Sequence, residues 1–317
     1  MRRVAFVVLA ACAFGRAGSW TSAQQTVFRA ATEVVLVPVS VTRGRTPVPG
    51  LGPEDFILFD NGVRQQIDAV SQEGRSIDVT FVAGPVLRSQ AEQLARARTS
   101  SDHLRTLLRP DDGLRVVRAG ARVYERPMRP ASEPAGFGPF LRMPGSSLND
   151  ALVYALMRPV DPDRGHLVVA YTGGLESWST LGPDLIPAIA GRADAVLHAV
   201  VPGPPPAAMT LQGVDGFVFE GGGSYGWCCS GPQPRLAAEW RATFDAIDDA
   251  VRATGGALHH VSAGADVFAR ILAEFRSSYV LRYTPRGVDR AGWHEITVKV
   301  TRPGSHTVRA RKGYEAR

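Results

Sequence analysis

A chain of 317 residues, 44% hydrophobic and 21% charged, has material for one large or two modest domains, and its core needs neither a metal nor disulfides to hold it. The formal charge of +6 includes Arg2, Arg3 and Arg16, which lie in a predicted leader. Without them it falls to +3 on scattered arginines, which argues against a nucleic-acid-binding face.

Residues 1–23 read as a signal peptide. Arg2 and Arg3 precede an apolar run, Val4 to Phe14, too short to span a bilayer, and Thr21-Ser22-Ala23 offers small residues for cleavage. The expectation is a secreted or periplasmic protein. Leu9-Ala10-Ala11-Cys12 also resembles a lipobox, but the stretch before Cys12 is short for lipidation, so free secretion is favoured over a lipid anchor. No later run reaches transmembrane length.

Residues 24–75 form a predicted β module. Val34 to Val41 is an apolar, β-branched strand, and Pro38 places it at a sheet edge or at a bulge. Gly50 to Asp55 reads as a turn. Phe56–Phe59 and Val63–Val70 flank Asp60-Asn61-Gly62, whose Asn-Gly pair tolerates the positive φ of a tight hairpin.

From residue 76 the pattern becomes strand–helix alternation, expected to run to 284. Val79–Val82 is a short unbroken apolar strand, as in a parallel sheet covered on both faces. A helix follows from Ser89 to Leu108, with Leu94, Leu104, Leu107 and Leu108 as core contacts. Strands are predicted at Leu114–Val117 and Arg122–Tyr124, then a Pro/Gly-rich connector from Pro127 to Gly145. Ser146 or Ser147 caps the next helix, and Asp150 sits in its first turn, where the helix dipole favours an acid. His166–Tyr171 and Ala195–Val201 read as strands on either side of a short helix at Pro183–Ala190. The helix Leu236–Ala253 carries Trp240, Phe244, Ile247 and Val251 on one stripe. A strand at Ala257–Val261 and a helix at Asp266–Phe275 follow. Tyr279–Tyr283 is expected to complete the parallel sheet. Residues 285–317 are expected to form a β hairpin, its strands near Trp293–Val300 and His306–Arg311.

Residues 202–234 form an insertion longer than ordinary connections, which favours a functional or mobile loop. Phe217, Phe219, Tyr225 and Trp227 sit there among glycines and are the candidate partner-binding residues, since aromatic side chains bury much apolar area with few rotors to freeze. The alternative is that they fold back onto their own domain. Cys228 and Cys229 are adjacent in the same segment and lack a neighbouring histidine pair for zinc. Ser224 is the tempting hydrolytic nucleophile, with His259 or His260 as base and Asp248 as orienter, but Gly223-Ser224-Tyr225-Gly226 lacks the Gly-x-Ser-x-Gly register. The glycines have no following lysine for a phosphate loop, Asp215 and Glu220 are too ordinary to mark a glycosidase, and His198 reads as a satisfied core residue.

Five motifs in combination carry a resemblance: Leu51-Gly52-Pro53-Glu54-Asp55-Phe56 with Asp60-Asn61-Gly62; Leu108-Arg109-Pro110-Asp111-Asp112; Ser146-x-Leu148-x-Asp150-Ala151-Leu152; Ser278-Tyr279-Val280-Leu281-x-Tyr283-Thr284-Pro285; and Val308 to Tyr314. The chain resembles the von Willebrand factor type A-related proteins of acidobacterial type. That resemblance implies an α/β fold, a doubly wound and mostly parallel sheet with Rossmann-like topology, joined to a β-rich module from the N-terminal and C-terminal segments. It also implies a divalent cation beyond the strand ends. The family's ligand positions fall on Ala83, Pro85, Leu87, Ser146 and Gly173, of which Ser146 alone keeps a side-chain oxygen. Thr172 offers a second neutral oxygen, and Asp78 lies at the far end of its strand. Without a carboxylate, little opposes the cost of stripping water from magnesium, so no metal and no other cofactor is expected. The resulting expectation is a non-enzymatic adhesion or binding module for an unidentified protein or cell-envelope component. The alternatives are a structural envelope protein without retained ligand binding and a hydrolase using the Ser224 region.

Overall fold

The computed structural model describes residues 34–72, 74–85, 90–133, 146–159, 161, 163–202, 234–261 and 266–316. The leader with Cys12, Leu87, the aromatic insertion residues, Ser224 and the cysteine pair lie outside the described residues. No helix among the described residues is long and apolar enough to cross a membrane.

The first elements are strand β1 (Val35–Arg43), the two-residue β2 (Thr46–Pro47), a 3-10 turn at Pro53–Asp55, β3 (Phe56–Asp60), β4 (Val63–Gln65) and β5 (Ile67–Gln72). Asn61 and Gly62 take φ values of +46° and +78°, so the Asn-Gly pair makes the β3–β4 turn expected of it. The strand expected across Val63–Val70 is divided, with β4 staying beside β3 and β5 crossing to another sheet.

Alternation follows: β6 (Ile77–Ala83), α1 (Gln90–Leu107), β7 (Gly113–Ala119), β8 (Val123–Pro130), α2 (Leu148–Leu156), β9 (Gly165–Tyr171), α3 (Leu185–Ala190), β10 (Val196–Pro202), α4 (Pro234–Thr254), β11 (Leu258–Val261) and α5 (Val267–Arg276). These strands form one six-stranded sheet in the order β11-β10-β9-β6-β7-β8. Every pairing is parallel except β7–β8, and β8 continues through Pro127 to Pro130, four residues into the expected connector. As an edge strand β8 tolerates prolines. Leu148 and Leu152 of α2, Ile186 of α3 and Ile247 and Val251 of α4 cover one face of this sheet. Leu104 of α1 and Phe268, Ile271, Leu272 and Phe275 of α5 cover the other. The strands that read as unbroken apolar runs are thus those buried on both sides, and β9 is buried at all seven positions.

The chain ends in β12 (Tyr279–Tyr283), β13 (Gly292–Val300), β14 (Thr307–Ala310) and β15 (Gly313–Ala316). Here the structure corrects the sequence reading. Strand β12 does not complete the parallel sheet but pairs antiparallel with β1 and β5. Nor do β13 and β14 pair as a hairpin. β14 joins β1, whereas β13 lies between β3 and β15. Strand β1 is therefore flanked on both sides, not at an edge. Pro38 is accommodated because β14 begins its pairing at Val39, so no ladder bond on that flank is asked of the proline nitrogen. Nine of the fifteen strands among the described residues thus lie in two antiparallel sheets, β14-β1-β12-β5 with β2 attached, and β15-β13-β3-β4.

The two antiparallel sheets enclose a third core of Val35, Val37, Val39, Phe56, Leu58, Leu281 and Ile296. Its centre is polar: the carboxylate of Asp60, fully buried, accepts from Tyr283 Oη (2.8 Å), Tyr314 Oη (3.1 Å) and His294 Nδ1 (2.7 Å), while His294 Nε2 has no hydrogen-bond partner. Glu33–Arg317 make one compact unit, so these sheets and the α/β layers share it.

Candidate functional site

In an open α/β sheet, ligands bind beyond the carboxyl ends of the strands, where the strand order reverses. Here that place lies between β6 and β9, because the chain moves from β6 to β7 on one side and later adds β9 on the other. The loops after these two strands meet directly. Gly84 N donates to Tyr171 O (2.9 Å), Gly173 N donates to Pro85 O (2.7 Å), and Thr172 Oγ1 donates to the same carbonyl (3.3 Å). A Cβ on Gly84 would lie 2.5 Å from Thr172 Oγ1 and 2.9 Å from Leu148 Cδ1. The crevice at this point is filled by backbone.

Of the expected ligand positions, Ala83, Pro85, Ser146 and Gly173 are described, and they serve as packing and loop residues. Ala83 is 3% exposed and belongs to the core on the α1/α5 face. Thr172 Oγ1, besides reaching Pro85, accepts from Gly174 N (3.0 Å). Gly173 O accepts from Trp240 Nε1 (2.6 Å), which fastens this loop to α4, the helix before β11. Ser146 is buried, and its Oγ has no hydrogen-bond partner. Its backbone is tied to the β9 loop instead, since Ser146 N donates to Ser177 Oγ (2.9 Å) and Ser146 O accepts from Trp178 N (2.8 Å). Ser147 stands at the N-cap of α2 without making a cap bond. Its hydroxyl donates to Gly120 O.

The acid that matters here was not singled out from the sequence. Glu176 Oε1 accepts from the backbone N–H groups of Ser177 (2.7 Å), Trp178 (2.8 Å) and Ser179 (2.7 Å). Its Oε2 accepts from Asn149 N, in the first turn of α2 (2.9 Å), and from Ser179 Oγ (2.6 Å). A carboxylate in a ring of N–H donors at a helix N-terminus is held by both hydrogen bonds and the helix dipole. Asp150, one residue further, accepts from Thr180 N (3.0 Å) and Leu181 N (2.9 Å). Two acids thus stitch residues 176–181 onto α2, and Trp178 remains 50% exposed. The one sequence signal for this was an acid followed by Ser-x-Ser-Thr after a strand.

The donor set tests poorly against a divalent cation. The carboxylate nearest the strand ends already serves five donors, and the Thr172 hydroxyl is engaged twice. Ser146 Oγ is left as a single neutral oxygen, whereas magnesium asks for a near-octahedral shell of hard oxygens. Among the described residues no group of three or more His, Cys, Asp or Glu side chains is placed to hold a metal.

The hydrolase constellation is not brought together by the residues described. His259 Nε2 lies 3.0 Å from His198 Nδ1, so the proposed base is spent on another imidazole. His260 stacks on Phe244 with ring centroids 6.2 Å apart. Asp248 is paired with Arg252 one turn along α4. His198 is 2% exposed and hydrogen-bonded, as expected of a core histidine.

No protein-family model matches the chain, and no curated protein matches it significantly. Several solved structures are similar. A von Willebrand factor type A protein from Catenulispora acidiphila is 11% identical, over 87% of this chain and 74% of that one, with a TM-score of 0.42. The ArnB paralog VWA2 from Sulfolobus acidocaldarius is 7% identical, over 89% and 76%, with a TM-score of 0.43. The conserved hypothetical protein BatB from Bacteroides thetaiotaomicron is 13% identical, over 63% and 97%, with a TM-score of 0.37. A likeness at this level carries neither a family nor an activity over to this chain.

Proposed function

We propose that the chain is a secreted or periplasmic, non-enzymatic binding module with a von Willebrand A-like α/β layer, which engages a protein or cell-envelope component without a metal ion. The contact surface is the rim at the carboxyl ends of the parallel strands. One observation carries this reading: Trp178 is half-exposed on a loop whose backbone is locked by Glu176 and Asp150. A large apolar side chain on a pre-ordered loop costs little entropy to bury against a partner. The insertion at 202–234, with Phe217, Phe219, Tyr225 and Trp227, follows the carboxyl end of β10 and so leaves from the same rim. The closed β6–β9 crevice supports contact across the rim over insertion of a ligand group between the strands.

The test is capture of a partner from envelope extract by the wild type, by Trp178→Ala and by a variant with Phe219, Tyr225 and Trp227 all changed to Ala. Circular dichroism confirms that each is folded. Capture lost in either variant with the fold intact supports the rim. Undiminished capture by both variants would move the binding surface elsewhere, and no reproducible partner for any of the three would favour a structural envelope role. Calorimetric titration with magnesium or manganese is expected to give no saturable heat, and a saturable signal abolished by Ser146→Ala would refute metal independence.

A further inference from the structure

Where β1 and β14 of the antiparallel sheet meet the parallel sheet and α5, the contact is built from ionisable groups around a cavity of about 10 Å³. That is room for about one water. The cavity is lined by Pro38, Val39 and Ser40 of β1, Val196 and His198 of β10, Gly255, and Glu274, Phe275 and Ser278. Glu274, at the end of α5, binds both strands of the neighbouring sheet, accepting from Ser40 Oγ of β1 (2.8 Å) and pairing with Arg309 of β14. Beneath it lies the imidazole pair, His198 on β10 and His259 on β11, stacked with centroids 5.3 Å apart and joined Nδ1 to Nε2.

We propose that this contact is an acid-operated joint: protonation of the His198–His259 pair releases β1 and β14 from the α/β layers while the parallel sheet stays folded. The hydrogen bond between the rings requires one donor and one acceptor nitrogen. One added proton goes to an outward-facing nitrogen and leaves this bond intact, but a second puts hydrogens on both facing nitrogens and sets two imidazolium rings in contact. The other charged or titratable groups facing the pair are Glu274 and Arg270 of α5, Arg309 of β14 and His260 of β11. Glu274 is the single acid among them. Burial raises its carboxyl, but the charges of His198 and Arg309 and the hydrogen bonds from Arg309 and Ser40 outweigh that and hold it below its usual range. It is thus already committed to Arg309 when the rings take up protons.

Burial holds the closed rings neutral, His198 down to about 3 and His259 to about 4, with Glu274 opposing in both cases. Depressed imidazoles stabilise the closed state above pH 6.5, and that stabilisation is lost as pH falls from 6.5 towards 4. At pH 5 each released ring favours the open state by roughly 30-fold over its value near pH 7.5, if it regains an ordinary pKa. A second contact keeps the sheets tethered. Arg192 pairs with Glu315 (3.1 Å), Arg311 with Asp194 (3.2 Å), and Lys312 N donates to Ala253 O (2.9 Å), with no imidazole among them. The opening is therefore local: β1 and β14, losing the α5 and β10 surface that covers them, fray from their own sheet while this second contact holds. His166 is also buried and depressed to about 4, but it lies in β9 within the α/β layers and responds only to their unfolding.

Hydrogen exchange of the full chain, corrected for intrinsic rates, tests the joint at pH 7.5 and 5.0. The opening constant of β1 and β14 amides is expected to rise more than 100-fold between these pH values, while β6 and β9 amides, which open only when the α/β layers unfold, stay far better protected than those of β1 and β14 at pH 5.0. In His198→Leu/His259→Leu the rise should shrink to less than ten-fold. Equal opening constants for all four strands at pH 5.0, or a double variant with the wild-type rise, would overturn the joint. Should the double variant not fold, histidine NMR titration of the wild type decides. Rings that remain neutral at pH 5 in the closed state support the mechanism, and rings titrating near 6.5 with β1 still protected overturn it.

Discussion

Glu176→Gln changes one atom type in the carboxylate nest that locks the rim loop, so its cost is readable from geometry. The amide oxygen can keep the three backbone donors of Ser177, Trp178 and Ser179, but as neutral bonds. A hydrogen bond to a charged acceptor contributes about 1.5–3 kcal/mol against about 0.5–1.5 for a neutral one. The amide nitrogen then faces Asn149 N–H, 2.9 Å from the oxygen it replaces, leaving donor against donor, while the Ser179 hydroxyl can rotate to accept. An unpaired donor costs about 1–3 kcal/mol when buried, and less here because Glu176 is only partly buried and water can reach it. With that discount the loss comes to about 2–3 kcal/mol. It should appear as a lowered urea midpoint and as faster exchange of the Asn149, Ser177, Trp178 and Ser179 amides before any change in β9. A variant within 0.5 kcal/mol of wild type, with those four amides still protected, would refute the claim that this carboxylate orders the rim.

Two further outcomes test the layers beneath. Val169→Asp places a carboxylate at a fully buried position of β9, between β6 and β10, and an uncompensated buried charge costs at least about 3–5 kcal/mol; circular dichroism and urea unfolding should show no stable fold, and a near-wild-type midpoint would show the central strand misplaced. Tyr283 has its phenol pKa raised by burial and by its bonds to Tyr314 and Asp60, so the protonated phenol's stabilisation is full below pH 10 and is lost as pH rises above it. Wild-type stability should fall between pH 10 and 11.5 more steeply than that of Tyr283→Phe, and parallel profiles would contradict this.

The parts of the fold legible in the sequence are those whose signal is local. Val79–Val82 and His166–Tyr171 read as buried strands because every residue in them is apolar or tucked between two helix layers, and no partner strand need be known. Asn61-Gly62 fixes its turn by backbone conformation alone. The stripe on α4 is also self-evident, with Phe244, Ile247 and Val251 all buried. Strand β12 was misassigned because Tyr279–Tyr283 looks the same in any sheet, and its pairing with β1 spans more than 200 residues. One clue was present: Arg282 interrupts the run and is exposed, as in a sheet covered on one face. Strand β15 is four residues long and shows only as the alternation of Tyr314 and Ala316. Glu176 was passed over because its role depends on where α2 begins in space, and an acid in a serine-rich loop carries no such mark.

The closed crevice explains why a reading from ligand positions alone falls short at this rim. Replacing Ala83 by an acid would not recreate a cation site, because Ala83 is 3% exposed among Phe81, Tyr171 and Phe268 and faces the α1/α5 core. At the adjacent Gly84 even a methyl group meets Thr172 and Leu148. The loop after β6 lies against the loop after β9 through three hydrogen bonds to Pro85 O and Tyr171 O. Chemistry and packing thus agree at this point. Few free side-chain oxygens stand at this point, and the two loops bond to each other across it. The rim is ordered by Glu176, Asp150 and the Trp240 contact to Gly173. A surface ordered by its own carboxylates needs no bound cation to hold its shape, and under the proposed function its contact with a partner would rest on exposed side chains such as Trp178.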